Sequence, residues 1–383
     1  MPRLSSPRRA RRGFAIIALG LSAALALGAC SSRGAETKPE TVAKTDKPIE
    51  ITDQRGKTIT FEKPVTKIAT TVIPSPSMIA AIDQSYDKIV GVNAATILRD
   101  KPSIFGKMFP KALTNTAIAG PDFVPNIEEI TKLKPDVVIQ WADQGDAAKM
   151  IKPIEDAGIP VIGLKYGTQE DLETWVKLFA KLLDKQDRGE ELLNRMHSTM
   201  SALQSAAKKE KKHPRALYLR RAGDGGYNAG MGSKRGYMNT WMTVAGAENV
   251  AADAEYSITN PTNVEQIVKW NPEVIFTSAM TPLSPADIFA DPALSAVDAV
   301  KNKRVYAVPS GGFWWDPPSA ESQLVMRWAA QLLYPDFKGS DLKKAMQEDY
   351  EFLYGHKLTH DEIDMILRVK ENAQSAGYER LAH

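Results

Sequence analysis

The residues with the most chemistry sit in short polar loops that follow apolar runs. After Ala216-Leu217-Tyr218-Leu219 the chain reads Arg220-Arg221-Ala222-Gly223-Asp224-Gly225-Gly226-Tyr227-Asn228, and soon after Gly230-Met231-Gly232-Ser233-Lys234-Arg235-Gly236-Tyr237. A guanidinium offers a rigid fork of donors that suits carboxylate or catecholate oxygens. Other loops carry Trp141, Tyr166, Tyr256 and Phe313-Trp314-Trp315. Aromatic rings there supply stiff apolar walls, and Tyr and Trp add a polar edge. The candidate contacts are therefore Arg220, Arg221 and Arg235 for charge, with Trp141, Tyr166, Tyr227, Tyr256, Trp314 and Trp315 as walls. Only Asp224 opposes Arg220, Arg221, Lys234 and Arg235 in this stretch, so the local field favours an anionic guest.

Catalytic patterns are missing. No Ser-His-Asp ordering, nucleophile elbow or HExxH motif occurs. The Gly-rich stretch lacks the Gly-Lys-Ser/Thr ending of a phosphate-binding P-loop. The five histidines are His197, His213, His356, His360 and His383, none in a candidate site loop. Thr359-His360-Asp361-Glu362 reads as a capping box, which puts His356 ahead of the helix rather than one turn along it. A bare metal ion wants His and carboxylates converging. The protein is expected to need no cofactor or metal of its own.

The start of the chain speaks to location. Residues 1–29 hold Arg3, Arg8, Arg9, Arg11 and Arg12 with no acid, then an apolar run from Phe14 to Leu27 too short for a comfortable membrane span. That is the layout of a secretory signal. It ends in Leu27-Gly28-Ala29-Cys30, similar to the box in which a bacterial lipoprotein cysteine is diacylated. Arg11-Arg12-Gly13-Phe14 also resembles a twin-arginine export signal. Cys30 is the one cysteine, so no intramolecular disulfide can form. Residues 31–48 have almost nothing to bury and read as a flexible tether with a reach of roughly 20–25 Å. The expectation is an exported protein, lipid-anchored at the cell envelope through Cys30. Of 49 basic residues five lie in that leader, leaving 44 against 46 acidic ones. A net-acidic body argues against a nucleic-acid partner.

The elements that must position the candidate loops follow an alternating grammar. Ile68–Val72, Ile89–Val92, Val137–Ile139 and Pro160–Leu164 are short runs rich in β-branched residues, separated by segments of helical period. The pattern returns at Ala216–Leu219, Val274–Phe276 and Arg304–Val308. Such alternation predicts βαβ units and parallel sheets, and hence two three-layer α/β lobes over 49–187 and 214–338. Between them Leu192, Met196, Met200, Leu203 and Ala207 recur at helical spacing, predicting one long rigid helix over 188–213 that bridges the lobes. Residues 339–383 read as a helical extension. A helix from Thr168 to about Lys185 precedes the bridge. Asn126 to Ile139 repeats at a constant offset as Asn263 to Phe276, with Asn, Glu, Ile, Lys, Pro and Val identical at matching places.

The ordered set of motifs resembles the periplasmic solute-binding proteins of ABC importers for iron-siderophore, haem and cobalamin complexes. It comprises Lys88-Ile89-Val90-Gly91-Val92, the repeated Asn-x-Glu-x-Ile…Pro-acid-Val segment, Gly246-Ala247-Glu248-Asn249-Val250-Ala251, Arg304–Pro309, and Ser319-Ala320-Glu321 to Leu333-Tyr334-Pro335-Asp336. The resemblance covers residues 49 to about 370. It implies a cleft between two lobes and a monomer that delivers a ferric-siderophore-type complex, or alternatively haem or a corrinoid. The receiver would be a permease dimer with ATPase subunits. It also implies that Glu128 and Glu265, one per lobe, dock onto permease arginines, although acids at helix starts are favoured for capping alone. Met78 stands where such proteins often carry Glu, so no role transfers there. An exported lipoprotein enzyme on the same scaffold is the competing class.

Overall fold

The structure is a computed structural model that describes residues 48–382 except 260, 335 and 338–340. The leader, Cys30 and most of the tether lie outside the described residues. The first elements are β1 (Ile49–Thr52) and β2 (Thr58–Phe61), an antiparallel hairpin. Gln54 in its turn moors it, donating to Asp171 (2.8 Å) and accepting from Trp175 Nε1 (3.1 Å).

The N-terminal lobe then alternates β3 (Ile68–Thr70), α1 (Ser75–Asp83), β4 (Ile89–Asn93), α2 (Ala94–Asp100), α3 (Ile104–Met108), β5 (Thr116–Ala119), α4 (Ile127–Leu133), β6 (Val137–Trp141), α5 (Ala147–Asp156) and β7 (Val161–Leu164). Its sheet is parallel throughout, in the order β5-β4-β3-β6-β7. Two helices follow, α6 (Gln169–Leu182) and α7 (Gln186–Ala207). A capping box between Thr168 and Asp171 starts α6.

The C-terminal lobe carries β8 (Arg215–Arg221), β9 (Tyr227–Asn228), α8 (Tyr237–Val244), β10 (Glu248–Asn249), α9 (Val264–Trp270), β11 (Val274–Thr277), α10 (Pro285–Ala290), α11 (Asp298–Lys301), β12 (Val305–Ala307) and α12 (Ser322–Leu333). Its parallel order is β10-β8-β11-β12, with β9 antiparallel to β8. The extension folds as α13 (Leu342–Tyr354) and α14 (His360–Ile366). The predicted two-lobed α/β architecture is what forms.

Each sheet is buried on both faces, as parallel sheets are. Ala69, Val138 and Val161 pack outward in the first lobe, and Leu217, Ile275 and Val305 in the second. The inward residues, Ile139 and Leu164 from one lobe and Tyr218 and Phe276 from the other, belong to one continuous core. That core runs through α6, α7, α12 and α13. The lobes are thus joined by shared apolar burial as well as by the bridging helix. Opening them would expose this surface at about 25 cal/mol per Å².

The bridging helix ends at Ala207, earlier than the predicted 211–213. Leu203 and Ala207 are its last buried residues, and 208–213 are all exposed. Lysines with nothing to pack against do not sustain another turn. The capping box at Thr359 and Glu362 forms, and His356 lies ahead of that helix, bonded to Glu362 (3.0 Å).

The internal repeat folds as the same helix–strand unit in both lobes. Asn126 caps α4 by accepting from Glu129 N, and Asn263 caps α9 by accepting from Glu265 N. Both helices close on a left-handed residue, Lys134 (φ +48) and Asn271 (φ +41), just before the proline. The next acid ties down a neighbouring strand each time. Asp136 Oδ2 accepts from the Lys67 backbone N–H (2.9 Å), and Glu273 Oε2 from that of Arg215 (3.0 Å).

Candidate functional site: the cleft between the lobes

The C-terminal strand ends of the first lobe are laced together by buried amides. Gln140 accepts from Thr71 Oγ1 (2.6 Å) and donates to the Phe123 carbonyl (3.1 Å). Asn93 donates to the carbonyls of Thr71 (3.1 Å) and Gly120 (2.6 Å) and caps α2. These bonds hold Phe123 in a left-handed conformation (φ +65) that a bulky residue adopts only under constraint. The result is an aromatic wall. Trp141 meets Phe123 at 6.2 Å and Tyr166 at 5.7 Å between ring centroids, both edge-on.

Opposite this wall the second lobe presents Met231, Met280, Phe313 and Trp314, enclosing about 180 Å³ of mostly apolar space. Below lies Asp316, fully buried, whose Oδ2 accepts from Tyr218 (2.7 Å), Ser278 (2.7 Å) and the Ala279 amide (3.2 Å). Burial pushes its carboxyl above the usual range, against the pull of these hydrogen-bond donors. Burial also raises the Tyr166 and Tyr256 phenols, and in both cases the Arg220 charge opposes the rise. Arg220 is therefore within electrostatic reach of both rings. Its Nη1 donates to the Ile258 carbonyl (2.9 Å), while its Nε–H and the Trp141 indole N–H are buried donors with no protein partner.

Of the candidate contacts, Trp141, Tyr166 and Trp314 line this cleft, and Arg220 and Tyr256 stand beside it. Arg235 is exposed, its carbonyl facing the backbone at Gly167 just past Tyr166. Three candidates lie elsewhere. Strand β8 runs on through Arg221 instead of ending at Leu219, and successive strand residues point to opposite faces. Arg220 thus shares the cleft-side face with Tyr218, while Arg221 shares the outer face with Leu219 and pairs with Asp287 (3.5 Å). Tyr227 is on that outer face too, its hydroxyl bonded to Asp291 (2.6 Å). Trp315 is fully buried and donates to Glu321 (2.6 Å), so it is core.

Sequence reasoning missed Phe123, Ile73, Pro74 and Met280 as lining residues. Phe123 follows β5, a strand too weakly patterned to be recognised. Among the described residues no three His, Cys, Asp or Glu side chains gather as metal ligands. Glu128 and Glu265 are exposed at equivalent helix starts, Glu128 paired with Lys132 (2.8 Å).

Two parallel-sheet lobes sharing one core, one bridging helix and a walled cleft at the strand ends define a bilobal solute-binding protein. The chain belongs to the periplasmic binding protein family, whose model matches residues 81–311. It is 27% identical to the molybdate-binding protein MolA of Haemophilus influenzae over 331 residues, 79% of this chain and 90% of that protein. It is 26% identical to the Fe(3+)-citrate-binding protein YfmC of Bacillus subtilis over 302 residues, 76% and 88% of the two. A solved periplasmic solute-binding protein from Veillonella parvula superposes with a TM-score of 0.74 at 32% identity, covering 85% of this chain and 99% of that one. The protein is accordingly the substrate-binding component of an ABC importer, exported and working with permease and ATPase subunits.

Proposed function

We propose that the cleft captures a compact anionic metal complex of the ferric-siderophore type, carried on carboxylate or catecholate oxygens, and hands it to the permease. The observation that carries this reading is Arg220, whose Nη1 donates to Met231 Sδ (2.9 Å) and to the Ile258 carbonyl (2.9 Å), two residues that line the aromatic cleft. A guanidinium fixed there sets a positive charge against any guest in that space. The size of the space, below the roughly 300–1,000 Å³ that drug-sized ligands fill, supports a guest of ferric-citrate size over haem, a corrinoid or a bulky tris-catecholate complex. Both relatives described above are named for anionic solutes. The resemblance to MolA favours a second reading, a bare tetrahedral metal oxyanion in the same place.

Glu128 and Glu265 are the proposed docking contacts, and Cys30 the proposed site of lipid attachment. Among the described residues no helix is long and apolar enough to cross a membrane. Native mass spectrometry and an absorption spectrum of protein purified from its own host test the ligand reading. A bound species with a ferric charge-transfer band supports it, and co-purified haem or corrinoid overturns it.

A further inference from the structure

One buried cation belongs to neither the anion-binding reading nor the docking surface. Arg99, at the end of α2 in the N-terminal lobe, has a side chain only 3% exposed. It crosses to the other lobe, donating from Nη1 to the Gly312 carbonyl (2.9 Å). Its guanidinium lies 4.6 Å from the centre of the Phe313 ring, 6.0 Å from Trp314 and 5.7 Å from Phe105. Asp100, fully buried, pairs with Nη2 and neutralises the charge. Glu321 of the second lobe and Tyr354 of the extension also feel Arg99, as does Tyr86 of the first lobe.

The loop it grips is held from below as well. Glu321 accepts from Trp315 Nε1, Tyr350 (2.7 Å) and Tyr354 (2.8 Å), and the Gly312 amide donates to the Tyr350 hydroxyl (3.1 Å). A Cβ on Gly312 would lie 2.5 Å from Glu321 Oε1 and 2.6 Å from the Tyr354 hydroxyl, so only glycine allows this approach. The extension thus braces the loop while Arg99 fastens it to the opposite lobe.

We propose that Arg99 is a positioning residue that sets the width of the cleft by clamping the Phe313–Trp314 wall to the N-terminal lobe, so that it selects solutes by size. This rests on the reading of the cleft as the solute site. The wall belongs to one lobe by sequence, and the Arg99 guanidinium bonds it directly to the other. A cation on an aromatic face, desolvated and bonded to a carbonyl, is a directional contact that lysine cannot reproduce.

The test compares wild type with Arg99→Lys and with the charge-neutral double variant Arg99→Met, Asp100→Asn, which avoids stranding a buried carboxylate. The first measurement needs no ligand. Amide exchange at Gly311, Gly312 and Trp315 should accelerate at least about 10-fold in both variants, with β12 and α12 unchanged. The second is the ratio of affinities for ferric citrate and a bulkier ferric tris-catecholate, which should shift at least about 10-fold toward the bulkier complex. Unchanged loop exchange, or acceleration spread evenly over the fold, overturns the proposal. So does an equal loss of affinity for both complexes. If wild type binds neither complex, the ligand reading fails while the exchange pattern still decides whether Arg99 holds the wall.

Discussion

Glu128 and Glu265 stand at the same place in two copies of one helix–strand unit, each two residues past the asparagine that caps its helix. Both are exposed, and the helices carrying them close on left-handed residues ahead of a proline and a tethering acid. Capping explains the asparagines, yet it does not require an exposed acid two positions later in both copies. A pair related in this way suits a dimeric receiver that presents the same cation twice. Changing both to Ala is expected to abolish uptake in a transport assay while solute affinity in solution stays within about twofold. Parallel loss of affinity would assign them to the fold or the ligand.

The adjacent arginines of β8 separate cleanly. Arg221→Ala breaks a pair with Asp287 that is more than a quarter exposed and is expected to leave solute affinity within about twofold. Arg220→Ala removes the cation beside the cleft. The loss expected for a charge-assisted bond is about 1.5–3 kcal/mol, or roughly 10- to 150-fold in affinity. Calorimetric titration of the two single variants with ferric citrate distinguishes them, and equal losses would mean that the strand twists both side chains toward the ligand.

Much of this arrangement was legible in the sequence. The β-branched runs, the repeat and the capping box at Thr359 came through because they depend on local spacing. What escaped was set by neighbours distant in the chain. Trp314 and Trp315 are indistinguishable by type, but a one-residue step in a tight loop sends one to the cleft and the other to Glu321. Arg220 and Arg221 were separated by how far β8 extends, which depends on its pairing with β9. Phe123 and Arg99 gave no signal, since a lone aromatic in a loop and a lone arginine ending a helix are commonplace until the opposing lobe is in place.

Asp100 gives the fold a pH dependence of defined sign. Burial pushes its carboxyl up to about 6, against the pull of Arg99. A raised acid contributes stability below its unfolded value that is lost as pH rises through about 6. Wild type is therefore expected to gain about 1–1.5 kcal/mol from this group between pH 7 and pH 5. Urea unfolding at the two pH values should show that gain reduced by the same amount in Asp100→Asn. Asp316, Glu321 and Asp349 are also raised by burial, so the difference between the two proteins is the quantity to read. An identical pH slope would place Asp100 in contact with water.

Replacing Cys30 with Ser is expected to release the protein from the membrane fraction with its unfolding temperature unchanged, because Cys30 lies well upstream in sequence of β1 and of every core residue named above. Fractionation after a salt wash checks this. A variant that stays bound would be held by something other than a lipid on that cysteine.

Selection of an anionic metal complex by Arg220 and the aromatic walls is read out by titrating wild type and Arg220→Ala. The panel is ferric citrate, a ferric catecholate, molybdate and a neutral ferric hydroxamate. Wild type is expected to prefer an anionic ferric complex over the neutral hydroxamate, with that preference falling roughly 10-fold or more in the variant. A preference for the neutral complex that is unchanged in the variant would contradict it.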